Sequence, residues 1–129
     1  MKFHRISAFG FALALSACNS AAPPPAPQAA PPPPDPATLG VSAGPTGAAL
    51  SQNDRRAAGE AQLQAVESGA PKSWRGRDGA YGIVEPAAEA TRSEGVCREY
   101  THKIYIDGRP KSGSGLACRQ SSGQWRIVN

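Results

Sequence analysis

The chain has few side chains that carry chemistry and few that carry charge. Its 129 residues include 3 cysteines, 2 histidines and 1 methionine, and only 19% are charged. The formal net charge is +4, but the cations are dispersed along the chain, without the basic run typical of nucleic-acid-binding proteins. No phosphate-binding glycine loop, nucleophile elbow or cofactor fingerprint occurs. The sequence therefore predicts no nucleic-acid partner, no cofactor and no small-molecule substrate.

Residues 1–17 have the layout of a secretory signal peptide. A basic start precedes an apolar run over residues 6–15, which is too short to span a bilayer as a permanent helix. The apolar run ends at the sequence Leu15-Ser16-Ala17-Cys18. An ordinary signal peptide with an unmodified cysteine behind it is the alternative to a lipid-anchoring leader.

Leu15-Ser16-Ala17-Cys18 resembles the lipobox of bacterial lipoproteins. In that class the cysteine receives a diacylglyceryl group, the leader is cleaved before it, and the new amine is acylated. The resemblance implies a lipidated Cys18 (a palmitate-type anchor) and a stable hold on the membrane. Asn19 follows Cys18, and an asparagine at this position resembles the pattern of lipoproteins in the outer membrane. An outer-membrane location is therefore expected.

Residues 18–49 are predicted to be a disordered linker. Nine of the 13 prolines lie between Pro23 and Pro36, and Asp35 is the one charge in the segment. Proline removes the backbone donors that helices and sheets need, so a polyproline II spacer is expected. A ligand for a proline-binding module is the less favoured alternative.

Residues 50–129 are predicted to form an α+β domain, one helix packed on an antiparallel sheet of three to four strands. Ser51 is a candidate N-cap with Asp54 as the acid of a capping box, and Gly69 is a natural helix stop. Alternating apolar residues predict four strands; they fall at 80–86, ending at Pro86, and at 95–106, 114–120 and 124–128.

The Asp107-Gly108 pair predicts a two-residue hairpin turn. Counting back from that turn places Cys97 directly opposite Cys118 at a non-hydrogen-bonded position, where the Cα atoms approach closely enough for a disulfide. Export to an oxidising compartment supplies the redox condition. A bulge at Gly113–Gly115 would shift the register, and two free thiols are the alternative.

Four aromatic residues are candidates for a binding site. Trp74, Tyr81, Tyr100 and Trp125 are most simply the aromatic core of a small domain. If some of them are exposed together, they form the best candidate for a ligand platform.

Catalytic and metal-ligating residues are scarce. His102 is the one histidine outside the leader, and it alternates with apolar strand residues. A zinc site needs three or four ligands, and two of the candidates are better used in a disulfide. Glu99 and Asp107 are conceivable paired acids for sugar hydrolysis, but the turn explains Asp107 and a solvated strand face explains Glu99. We therefore expect no catalytic residue, no metal and no enzyme.

Six motifs in the same region are similar, in order and spacing, to one known family. They are Leu50–Arg56, Trp74, Tyr81–Pro86, Cys97–Tyr100, Ala117–Gln120 and Gly123–Val128. Together they resemble the C-terminal domain of the 17 kDa outer-membrane surface antigens of Gram-negative bacteria. Several members carry a glycine-rich membrane-associating stretch where this chain has the proline-rich linker. The resemblance implies an envelope location and no known reaction.

The sequence thus predicts a lipid-anchored outer-membrane protein that presents a non-catalytic domain to the periplasm or the exterior. A structural or binding role in the envelope is expected. A module that binds peptidoglycan or another envelope polymer is the alternative, suggested by the reach of the linker and the dispersed cations. An envelope hydrolase that uses Glu99 or His102 is the least favoured hypothesis.

Overall fold

The computed structural model describes residues 22–128. The predicted signal peptide, Cys18 and Asn19 lie outside this range. Residues 22–31 are exposed and have no regular secondary structure. A separate compact unit begins at Pro32. Within the described range, no helix is both long enough and apolar enough to cross a membrane.

The compact unit contains three short helices, one long helix and five strands. Two 3₁₀ turns, Pro36–Thr38 and Pro45–Gly47, flank the short helix α1 (Gly40–Ala43), and we call residues 36–47 the strap. The long helix is α2 (Gln52–Ser68). The strands are β1 (Lys72–Arg75), β2 (Tyr81–Arg92), β3 (Gly95–Ile106), β4 (Arg109–Arg119) and β5 (Trp125–Val128).

Helix α2 begins and ends where the sequence predicts. The Ser51 hydroxyl accepts from the Asp54 amide at 3.1 Å, and Gly69 ends the helix in the left-handed conformation at φ 68°. The expected role of the Asp54 carboxylate is wrong. It is buried, and it accepts from the amides of Asp78 (2.9 Å) and Ala80 (3.1 Å). Asp54 therefore fastens the β1–β2 turn to the first turn of the helix.

The sheet is an antiparallel meander in the order β1-β2-β3-β4-β5. It has five strands rather than the three to four expected, because the four-residue edge strand β1 has a single apolar residue, Trp74, and so shows no apolar alternation in the sequence. The expectation that β2 ends at Pro86 is also wrong. The strand continues to Arg92 because the register shifts between Pro86 and Glu89. Such a bulge accommodates a residue that cannot donate to the ladder.

The β3–β4 hairpin has the predicted register throughout. Ile106 pairs with Arg109 and Cys97 pairs with Cys118, so no bulge forms at Gly113–Gly115. The predicted Cys97–Cys118 disulfide is present.

The prediction of a disordered linker over residues 18–49 is wrong for the strap, because residues 36–47 are ordered and packed. Ala37, Leu39 and Val41 are each less than 9% exposed, and the last two belong to the main apolar core. Glycines make the close approach possible. A Cβ added at Gly59 of α2 would lie 1.9 Å from the Pro36 carbonyl oxygen, and one at Gly40 would lie 2.1 Å from the Tyr100 hydroxyl.

The two faces of the sheet have different surroundings. Helix α2 and the strap cover one face, where the even-numbered residues Tyr100, His102 and Ile104 of β3 are buried. The odd-numbered residues Thr101 and Lys103 are exposed on the other side. We call that side the outer face.

Candidate functional site

The four aromatic residues do not form an exposed platform, because Tyr100 belongs to the main apolar core and Trp74 and Trp125 pack against that core. Tyr100 is 2% exposed and lies in the core, where its hydroxyl accepts from the Val41 amide at 3.4 Å. Burial raises the pKa of Tyr100, while the hydrogen bond to Val41 opposes that rise. Tyr100 therefore fastens the strap to the sheet and has no surface to offer a ligand.

Trp125 is half-buried beside two guanidinium groups. The Arg98 and Arg119 groups lie 4.9 and 5.0 Å from its ring centroid. Glu89 accepts from both arginines, at 3.0 and 2.6 Å. Arg98 also donates to the carbonyl of Val66 in the last turn of α2, at 2.6 Å. These contacts join α2, β2 and β5 and hold Trp125 within the domain.

Trp74 belongs to a buried hydrogen-bond chain. Its indole N–H donates to Nε2 of His102 at 2.7 Å, and Nδ1 of His102 lies 2.9 Å from Oε1 of Gln62. An indole nitrogen can only donate, so Nε2 accepts and Nδ1 carries the proton. Gln62 also accepts from the Ser42 amide at 3.0 Å and donates to the Leu39 carbonyl at 2.9 Å. The chain thus ties β1, β3, α2 and the strap together.

His102 is placed for packing rather than for proton transfer to a ligand. The residue is 0% exposed, and both ring nitrogens have partners. Burial lowers the pKa of His102 from 6.5 to about 4, so the imidazole is neutral near pH 7.

The carboxylates considered for sugar hydrolysis are also kept apart. Glu99 lies within β3 and Asp107 lies in the turn that follows the strand, about 26 Å away along an extended chain, far beyond the roughly 5–9.5 Å of paired glycosidase acids. Glu99 forms an ion pair with Arg92 on the outer face, whereas His102 points to the core. Asp107 adopts a positive φ of 51° in the hairpin turn.

Tyr81 is the one member of the predicted set on an accessible surface, at 36% exposure. Its ring stacks on Tyr105, with centroids 4.8 Å apart and planes 6° apart. The Arg75 guanidinium lies 5.3 Å from the Tyr81 centroid. These residues are cross-strand neighbours on the outer face, and Pro110 follows Tyr105 in the same row. We call Arg75, Tyr81, Tyr105 and Pro110 the tyrosine row. Tyr105 is not among the aromatic residues predicted from sequence, although the alternation along β3 and the register set by the turn place it on the outer face.

Charges on the unit are segregated along the sheet. We call one end the cationic end; it consists of residues 75–81 and 103–111, around the β1–β2 and β3–β4 turns. Its five cations are all exposed and stand against two carboxylates, Asp78 and Asp107; they are Arg75, Arg77, Lys103, Arg109 and Lys111. The β2–β3 hairpin at the other end, residues 85–99, carries four glutamates and two arginines.

The chain is similar to a class of bacterial surface antigens. The relatives are 17 kDa surface antigens of Rickettsia. That of Rickettsia bellii is 39% identical over 88 residues, which cover 64% of this chain and 55% of the relative. That of Rickettsia japonica is 41% identical over 87 residues, with 64% and 55% coverage. That of Rickettsia prowazekii is 42% identical over 69 residues, with 52% and 43% coverage.

The sequence resemblance to 17 kDa surface antigens is thus confirmed for about two thirds of this chain. The chain spans about half the length of the curated relatives it matches. No family model matches the chain. No solved structure matches it either.

Proposed function

We propose that this chain is an envelope lipoprotein of the 17 kDa surface antigen family. Cys18 carries the lipid anchor, and the disulfide-braced unit is presented at the outer membrane in a structural or binding role. The similarity to relatives named surface antigens, at about 40% identity, carries this proposal. The lipobox-like motif at residues 15–18 and the exportable leader agree with it.

A non-catalytic role is the interpretation that agrees best with the geometry. The residues considered for hydrolysis share no cleft. His102 points to the core, Glu99 lies on the outer face and Asp107 lies in the hairpin turn. Among residues 22–128, no three potential metal ligands gather at one place. The accessible features are the tyrosine row and the cationic end, and both have the chemistry of a binding surface rather than of a reaction site.

Metabolic labelling with a palmitate analogue tests the anchor. The wild-type chain, produced in a Gram-negative host, is expected to take up label and to fractionate with the outer membrane. Cys18→Ala should abolish the label, while the double variant Cys97→Ala/Cys118→Ala should retain it. An unlabelled wild-type protein in the culture fluid would rule out the anchor. Protease treatment of intact cells then shows whether the unit faces the periplasm or the exterior.

A further inference from the structure

The chain enters the folded unit beside the N-terminal half of α2, whose N-cap residue contacts the β1–β2 turn of the cationic end. Asp35, just ahead of the strap, pairs with Arg56 in the first turns of α2, at 3.4 Å. Arg56 is about 8 Å along the helix axis from the N-cap residue Ser51. The Ser51 hydroxyl in turn donates to Asp78 in the β1–β2 turn. Asp35 therefore lies beside the half of α2 whose N-cap contacts this turn.

The cations at this end lack the intramolecular partners that neutralise other arginines. Arg56, Arg92, Arg98 and Arg119 each form an ion pair with a carboxylate. Within residues 22–128, none of the five cations of the cationic end forms one. Asp78 is occupied by hydrogen bonds from Ser51 and Asn53. The end therefore presents an excess of positive charge to solvent.

The tyrosine row favours a lipid headgroup over a sugar as the partner of this end. Tyr81 has Tyr105 against one ring face and Arg75 beside it on the neighbouring strand. The ring faces on which a sugar would stack are therefore occupied within the sheet. Tyrosines with an apolar body and a polar tip are enriched where a membrane meets water.

We propose that the cationic end docks on the phosphate-bearing surface of the membrane that holds the anchor. The inference rests on the proposed lipid anchor, because acylation at Cys18 brings the unit to that membrane. The basic side chains would meet lipid phosphates, and the edge of the tyrosine row would rest among the headgroups. Such contacts act in parallel with a tether, which raises their effective concentration.

The strength of docking should follow the number of cations near the surface. Each lysine or arginine close to an anionic leaflet strengthens binding about fivefold, and the effect decays within a Debye length. Removal of two cations should therefore weaken binding about 25-fold at low salt. High salt should remove most of the binding of the wild-type chain.

Vesicle sedimentation tests the proposal on the chain from residue 19 onward, which retains every residue that the structure describes. The probes are vesicles of phosphatidylglycerol in phosphatidylcholine and vesicles of phosphatidylcholine alone. The test variant is Arg77→Gln/Lys103→Gln. The matched control is Arg92→Gln/Arg126→Gln, which removes the same charge from elsewhere in the unit. Thermal unfolding of all three proteins shows that each is folded.

Salt-sensitive binding to the anionic vesicles, lost in the test variant and kept in the control, would support the proposal. Equal losses in the two variants would overturn it, because net charge alone would explain them. Retention on purified sacculi without binding to vesicles would also overturn it, in favour of a polymer partner. Since this protein is not acylated, the result is independent of the labelling experiment at Cys18. If the chain binds vesicles but Cys18 is never labelled, the proposed docking by the cationic end would stand and the proposed lipid anchor would be wrong.

Discussion

His102 shows how one buried side chain sets a requirement on its neighbours. The donor-only indole of Trp74 on Nε2 and the Gln62 amide oxygen near Nδ1 fix the ring as the neutral Nδ1–H tautomer. A second proton on the ring would sit on Nε2, where the new N–H would point at the indole N–H of Trp74. The alternation along β3 predicted a packed histidine. Its hydrogen-bond partners lie in β1 and α2, so the local sequence pattern could not predict them.

We predict that His102 makes the unit less stable in mild acid. The unfolded chain binds the imidazole proton near pH 6.5 and the folded chain near pH 4. The unfolded state therefore holds more protons between these values, and the free energy of unfolding falls as the pH drops through this window. The loss amounts to about 3 kcal/mol at its full extent. Denaturant titrations from pH 7 to pH 4 measure it.

His102→Gln is the control for this prediction, because a glutamine keeps a donor and an acceptor but does not titrate. The variant should show a smaller loss of stability than the wild type over the same pH range. Identical pH profiles for the two proteins would contradict the assignment to His102.

At the level of elements, the helices and strands that could be predicted from sequence are those defined by interactions between residues close together in the chain. The Ser51 cap, the Gly69 stop and the Asp107-Gly108 turn act over a few residues, so α2 and the β3–β4 hairpin could be located from sequence. Strand β1 is short, and the strap has the composition of a linker. Residues distant in the chain, Gln62 and Tyr100, order the strap, and His102 accepts a hydrogen bond from Trp74 of β1.

Gly59 gives a test of how closely the strap approaches α2. Helix propensity alone predicts that Gly59→Ala stabilises the protein by up to about 1 kcal/mol. The structure predicts the opposite, a destabilisation of about 1–3 kcal/mol, because the new Cβ would collide with the Pro36 carbonyl. Chemical denaturation measures the change. Amide exchange should also rise at Leu39 and Val41.

The matched variant is Gln64→Ala, on the exposed side of the same helix. It should change the free energy of unfolding by no more than about 0.5 kcal/mol. A stabilised Gly59→Ala protein would mean that the strap does not lie against this residue.

At the scale of the whole molecule, the disulfide joins two strands that already pair, and it lies near the open end of the β3–β4 hairpin. Cys97 and Cys118 are 21 residues apart in sequence. In the chain-entropy model a loop of this length contributes about 3 kcal/mol, a large share of the stability of a small domain. Cys97→Ala/Cys118→Ala should lower the free energy of unfolding by about that amount in equilibrium denaturation. An unchanged midpoint would show that the crosslink leaves the unfolded ensemble unaffected.

The distribution of charge emerges only at this scale. Along the sequence the cations look dispersed, because β2 and most of β3 separate Arg77 from Lys103. The meander returns β3 and β4 to the same end as the β1–β2 turn, and the five cations gather there. Composition could not reveal this, since the grouping depends on the strand order and the register.

The strap also determines where the chain can be divided for recombinant production. A fragment that starts at Leu50 would leave behind Leu39 and Val41, uncover the phenol of Tyr100, and strip Gln62 of two backbone partners. Such a fragment would expose apolar surface and aggregate. A fragment that starts at Pro32 keeps these contacts, and antibodies raised against it would meet the native surface of the unit.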